Sequence, residues 1–168
     1  SYSDESFNFD VTEVEILENG NIFKGSKRGI ITTDDGIKLE ADNFKYNKSL
    51  NVLNANGNVK IEDNINNYIL LSNEITYLRN KNIIFTRNQS KAINLNDNST
   101  LEADEFEYNR NLNILNANKD VVLEDKLKNY KIISENITYF KNKEKFVTEG
   151  KTKAFIDLSY EFNSKNVI

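Results

Sequence analysis

Leu39-Glu40-Ala41-Asp42-Asn43-Phe44-Lys45-Tyr46-Asn47 returns 62 residues later as Leu101-Glu102-Ala103-Asp104-Glu105-Phe106-Glu107-Tyr108-Asn109. The match runs on: Leu50-Asn51-Val52-Leu53-Asn54-Ala55-Asn56 becomes Leu112-Asn113-Ile114-Leu115-Asn116-Ala117-Asn118. Val59, Ile61, Glu62 and Asp63 become Val121, Leu123, Glu124 and Asp125, so residues 99–158 repeat 37–96 without insertion. A finer period of 31 lies inside, because Tyr46, Tyr77, Tyr108 and Tyr139 are evenly spaced. Each follows Phe44, Ile75, Phe106 or Ile137 by two residues and precedes a turn rich in Asn and Lys. The unit is two long strands joined by a tight turn. Repeats of this size build stacked or rolled supersecondary units, and the Asn, Gly and β-branched content with no 3.6-residue stripe excludes the helical families.

The strands share an irregularity that selects the architecture. Ile37, Leu39 and Ala41 are odd-numbered, whereas Phe44 and Tyr46 are even; Leu101 and Ala103 give way to Phe106 and Tyr108 in the same manner. Leu50 and Val52 likewise give way to Leu53 and Ala55. A one-residue slip in a period-2 pattern sends side chains to the wrong face unless the strand bends or bulges. Slips at matching positions predict corners where a strand passes from one sheet to another. The expected fold class is all-β, a rolled antiparallel sandwich built from 31-residue repeats.

Composition sets the bounds. A chain of 168 residues suits one domain, 1–168, with repeats at about 37–98 and 99–160 and residues 1–36 supplying N-terminal edge strands. The 38% hydrophobic content, even with six glycines, predicts a thin core or one shared with something outside the chain. A net charge of −4 argues against nucleic acid as a partner. Cys, His, Met, Trp and Pro are all absent. The commonest general base and the thiolate ligands are therefore missing, and nothing interrupts backbone ladders as proline does. No run of about 18 apolar residues offers a membrane-spanning helix. Ser1–Ser6 lacks the basic and apolar regions of a signal peptide, as expected of a mature or cytoplasmic chain.

From Ser1 to Glu18 there are six acidic residues and no basic one, and Phe7, Phe9, Val11, Val14 and Ile16 are interleaved among them. This reads as an acidic edge strand. Asn19-Gly20 and Lys24-Gly25-Ser26 read as hairpin turns, and Asp34-Asp35-Gly36 as another turn. Strands are expected at 37–46, 50–62 (interrupted near Asn56-Gly57-Asn58), 68–78 and 82–95. Eight lysines between Lys126 and Lys153 oppose three glutamates, a balance of +5 at the end opposite the acidic strand. Such opposed ends favour head-to-tail contact or a phosphate-bearing ligand, and plain solvation accounts for them equally well.

Catalysis finds little to work with. Glu40/Asp42 and Glu102/Asp104 recur at i, i+2, but a solvated face accounts for them. No catalytic residue, metal site or cofactor is expected. The tyrosine ladder reads as interior packing with each hydroxyl reaching the rim.

The phrase Leu-x-Ala-Asp-x-Phe-x-Tyr-Asn, followed by Leu-Asn-x-Leu-x-Ala-x-Gly-Asn-Val from Leu50 to Val59, resembles the OstA-like family of lipopolysaccharide-transport proteins over roughly residues 14–158. Asn19-Gly20-Asn21-Ile22 echoes its Gly-Asn-Val. The resemblance implies a V-shaped β-jellyroll open along one side, in the periplasm and associated with the outer membrane. It implies an apolar groove for the acyl chains of lipid A, and edge-to-edge stacking with other jellyroll proteins of a transport bridge. Two branches are open: the periplasmic jellyroll of the LptD type, which Phe7–Thr12 is similar to, and the free-standing LptA type. An LptD-type chain would be a fragment, and would add an outer-membrane barrel and a lipoprotein partner. The groove implied for this sequence is lined by Leu39, Phe44, Tyr46, Leu53, Val59, Ile61, Ile75, Tyr77 and Phe85, and in the second repeat by Leu101, Phe106, Tyr108, Leu115, Val121, Leu123, Ile137, Tyr139 and Phe146. The competing reading is a structural β-repeat scaffold with a closed core and no ligand.

Overall fold

The corners appear where Asp42 and Asp104 stand. In the computed structural model, which describes residues 7–157, the segment read as one strand at 37–46 is two, β5 (Ile37–Ala41) and β6 (Asn43–Asn47). Their second-repeat counterparts are β10 (Thr100–Ala103) and β11 (Glu105–Asn109). At each break an aspartate N–H donates to a carbonyl across the bend, Asp42 to Gly57 at 2.9 Å and Asp104 to Lys119 at 3.0 Å.

Six long strands carry the rest: β7 (Val52–Asp63), β8 (Tyr68–Leu78), β9 (Ile83–Asn94), β12 (Ile114–Asp125), β13 (Tyr130–Phe140) and β14 (Lys145–Ile156). Each continues through its corner and belongs to two layers. Four short strands precede them: β1 (Asn8–Asp10), β2 (Glu15–Leu17), β3 (Ile22–Gly25) and β4 (Gly29–Thr32). The first layer runs β1-β4-β5 and on to β14; the second runs β2-β3-β6 and ends on the other half of β14. All pairings between these strands are antiparallel, and the described residues contain no α-helix.

The corners are β-bulges with left-handed residues. Register shifts fall between Asn56 and Val59 and between Asn118 and Val121. Positive φ recurs there at intervals of 31: Gly57, Asn88, Lys119 and Gly150. Turn positions repeat the device at Asn51, Asn82 and Asn113, and at Asn67, Asn98 and Asn129. Asparagine tolerates this region better than other side chains do. The Asn-rich composition thus has a structural use at these turns and corners. Gly57 is the most constrained corner: φ is +82°, and a Cβ would lie 2.7 Å from Asp42 Oδ2 and 2.8 Å from its Cβ. Gly57→Val is expected to cost about 2–3 kcal/mol, read as a lower urea midpoint at unchanged slope.

Three expectations change. The acidic N-terminal strand is broken into β1 and β2, pairing β4 and β3 in different layers, because this edge also turns a corner; Asp4 and Glu5 lie outside the described residues. Lys24-Gly25-Ser26 is not a hairpin turn, since β3 and β4 do not pair with each other; it is another corner. Leu50 is 63% exposed in the turn before β7, so the slip from Val52 to Leu53 is a strand start and not a corner. The long side opposite the corners is bridged between layers by polar side chains, Arg110 to Asp63 and Asp35 among them. Asn19-Gly20 and Asp34-Asp35-Gly36 are turns as read.

Candidate functional site

Registers carry the inward-facing residues across each layer as rows. In the first layer one row runs Phe9, Ile31, Leu39, Ile61, Leu70, Ala92, Leu101, Leu123, Ile132 and Ala154. In the second layer it runs Phe23, Tyr46, Leu53, Tyr77, Ile84, Tyr108, Leu115, Tyr139 and Phe146. The alternation of strand side chains makes each row a continuous apolar stripe.

Most residues of the expected groove lie on these inner faces. Leu39, Val59, Ile61, Leu101, Val121 and Leu123 are buried in the first layer; Phe44, Leu53, Ile75, Tyr77, Phe106, Tyr108, Leu115, Ile137 and Tyr139 are buried in the second. Tyr46 and Phe146 are half-buried and pack on this core near its two ends. Phe85 is the exception. It pairs with Thr76 and Glu107 on the outer face, while its neighbour Ile84 is fully buried against Tyr77 and Tyr108. The phase of β9 is set by that pairing, which a preference for the larger aromatic could not see. Ile31, Ile37, Leu70 and Tyr68 are inner residues the sequence reading omitted.

The two ends differ. Near β1, Phe7 and Phe9 fold over the interior, with ring centroids 5.2 Å from Tyr46 and 5.6 Å from Phe44 respectively. At β14 no such cover exists among the described residues. Phe146 stacks on Tyr139 at 4.1 Å, and the inward positions beyond it, Ala154 and Ile156, are exposed. A small cavity of about 10 Å³ touches Tyr68, Leu115, Leu123, Tyr139 and Phe146.

Along the turn edges the layers are bridged by charge. Two residues after each ladder tyrosine stands a base: Lys48, Arg79, Arg110 and Lys141. Arg110 Nε donates to Asp63 Oδ2 at 2.8 Å, and its other nitrogens reach Asp35 Oδ2 at 2.9 Å and the Asp35 carbonyl at 2.8 Å. Arg79 also reaches Asp35, at 3.0 Å. Tyr108 hydroxyl donates to Asp63 at 2.6 Å and accepts from Asn66 at 2.8 Å. Lys141 Nζ donates to the Asn66 carbonyl and sits 4.2 Å from the Tyr68 ring centroid. Burial would raise the Asp63 carboxyl, but hydrogen bonds from Arg110, Tyr108 and Asn66 outweigh it and hold its pKa below the usual range. Burial lowers the pKa of Lys141 and raises those of Tyr77 and Tyr108. The tyrosine hydroxyls do reach the rim: Tyr46 and Tyr77 donate to Asn51 and Asn82 at 2.7 and 2.6 Å. The basic ladder was open to discovery from its 31-residue spacing; its carboxylate partners, up to 75 residues away, were not.

What the arrangement offers is an apolar interior between two sheets, clamped along one side and uncovered at β14. Among the described residues no cluster of His, Cys, Asp or Glu is built to hold a metal ion. Comparison with protein-family models and with curated proteins returns no match. Among solved structures the chain is similar to LptH of Pseudomonas aeruginosa, the LptA-homologous periplasmic component of the conserved lipopolysaccharide transport device. The TM-score is 0.63 at 14% identity, over 92% of this chain and 99% of LptH. At that identity the likeness is one of architecture: the chain has the all-β jellyroll fold of the LptA-like proteins.

Proposed function

We propose that this chain is a periplasmic component of a lipopolysaccharide-transport bridge. It holds lipid A acyl chains against its apolar inner faces and passes them towards the outer membrane, stacking edge to edge with other jellyroll subunits. The observation that carries the reading is the pair of apolar rows that run from strand to strand and emerge uncovered at β14. An acyl chain entering there meets Phe146, Ile132 and Ala154, and gains about 0.8 kcal/mol per buried methylene. The sugars remain outside, where the rim is polar. The fold of LptH supports the same reading and favours the free-standing LptA type. In an LptD-type chain the partners would include an outer-membrane barrel and its lipoprotein. No step of the reading needs catalysis.

Photo-crosslinking checks it. With benzoylphenylalanine at Phe146, Ile137 or Phe106 and lipopolysaccharide present, labelling is expected at Phe146 first and more weakly inward, and none at the outward Phe85. A protein that labels at no inner position and copurifies without lipid is no conduit. The close-packed interior, bridged by Arg110, favours a second reading, a closed structural scaffold; that outcome would establish it.

A further inference from the structure

The carboxylate pair that grips Arg110 occurs twice. Asp35 and Asp63 recur 62 residues on as Asp97 and Asp125. The turn geometry recurs too, with Gly36 and Asn98 both left-handed and Asp63 and Asp125 paired with Tyr68 and Tyr130. The first pair is filled, as described above. In the second, Lys141 bears on Asp97, but among the described residues no base reaches Asp125. Asp125 is 2% exposed and its Oδ2 has no hydrogen-bond partner among the described residues. Its Oδ1 accepts only the Lys128 N–H, at 2.9 Å. Asp97 accepts from Ser99 N and Oγ at 2.9 and 2.7 Å. Lys126 lies 3.9 Å from Glu124 instead, and the Lys128 side chain is exposed. Both carboxylates bear on the Tyr130 hydroxyl, whose pKa is pushed up to about 12 by burial, then Asp125, then Asp97. Beside them opens a recess of about 380 Å³ whose lining includes Asp125, Tyr130, Phe155 and Ile156, with Lys126 and Lys131 also on it. A carboxylate so buried without a partner is costly to leave alone.

We infer that Asp97 and Asp125 form a docking site for an arginine or lysine on a strand that a different jellyroll protein adds to β14. The inference rests on the stacking reading above and names the chemistry of the partner. In this chain the base that fills a carboxylate pair follows a strand running from the first layer into the second, as Arg110 follows β11. It reaches back to the turn before the previous strand of that direction, at Asp63. The next strand of that direction after β13 is one added antiparallel to the edge of β14 that no described residue pairs. Its residue two places past the inward row position lies over Asp125.

A second copy of this chain fits poorly. Its leading strand would be β2, where Ile16 holds the row position opposite Phe23 and the residue two places on is Glu18. That sets an acid against two carboxylates. Exposed lysines on β14 facing an acidic β2 do not offset it, because surface pairs contribute little beside a buried one. The site therefore discriminates by charge against self-addition.

The probe is a peptide spanning Ala103–Ile114, which carries Arg110 two residues after Tyr108, labelled with a fluorophore and titrated against the full chain. The peptide is expected to bind, and its Arg110→Glu version to bind about thirtyfold or more weakly. Asp125→Asn in the protein should weaken the arginine peptide similarly and erase the difference between the peptides. Asp97→Asn, at a half-exposed site, should do so in part and covers a failure of Asp125→Asn to fold. Equal binding of both peptides to the unaltered protein leaves β14 an accepting edge but removes any role for the carboxylates, overturning the inference alone. Binding of neither overturns strand addition with it. Self-association in sedimentation that falls with Asp125→Asn would give the pair to a second copy and also overturns the inference.

Discussion

Arg110→Met is expected to destabilise the protein by about 3–5 kcal/mol in urea unfolding at pH 7, the range for removing one partner of a buried pair. The guanidinium side chain is 3% exposed and the Asp63 side chain 1%, so water replaces little of what is lost. Methionine keeps most of the stem's packing and leaves Asp63 charged, buried and short of its main donor. Combining it with Asp63→Leu should recover a large part of the loss, since a well-packed apolar replacement for both partners is often near neutral. The pH dependence carries the sign. Asp63 has a depressed pKa when folded, so its contribution is complete above the unfolded value of about 3.9 and is lost as pH falls through the folded value. Stability of the unaltered protein should stay level from pH 7 to about 5, with no histidine to titrate between, and fall below about 4. In Arg110→Met the buried carboxyl has lost its main counter-charge, so stability should rise on acidification from pH 7 towards 4. The two slopes have opposite signs, and parallel slopes would show that Asp63 is not held by Arg110.

Phe106→Ala is the second large effect, expected at about 3–5 kcal/mol against under about 1 kcal/mol for Phe85→Ala. Phe106 is 2% exposed, in an inward row between Thr86 and Ala117. Its small neighbours leave room that the phenyl ring alone fills, so truncation leaves a cavity. Phe85 sits on the outer face beside Arg87, Leu78 and Thr76 in a shallow surface recess. Comparable losses at the two sites would reverse the inside and outside of β9. Their contrast matters for the transport reading too, because the same assignment decides which positions can meet an acyl chain.

The interior is close-packed and clamped at Arg110, yet among the described residues nothing covers its inner face at β14. On the proposed transport reading the layers would part from the β14 end, where Lys141 hydrogen-bonds a backbone carbonyl and, among the described residues, no base reaches Asp125. Arg110 and Arg79 make the middle of the seam the harder part to open. Crosslinking that declines from Phe146 inward follows from that gradient.

Periodicity alone disclosed the repeats, the strands at 68–78 and 82–95, the corners at Asp42 and Asp104 and most of the inner face. Each of these is a local matter: strand side chains alternate every residue, so a slip in the pattern reports a bend wherever it occurs. Position in space resolved the rest. Whether Ile84 or Phe85 of β9 points inward depends on strands paired to it from both sides. That Lys24-Gly25-Ser26 is a corner depends on β3 and β4 finding partners in different layers. The clamp joins Arg110 to residues 47 and 75 positions earlier, a contact made by rolling the sheet and invisible to any short window. The quoted stretch carried the fold because the repeat writes its geometry twice. It could not carry the second carboxylate pair, because only the roll brings Asp97 and Asp125 to bear on the one hydroxyl of Tyr130.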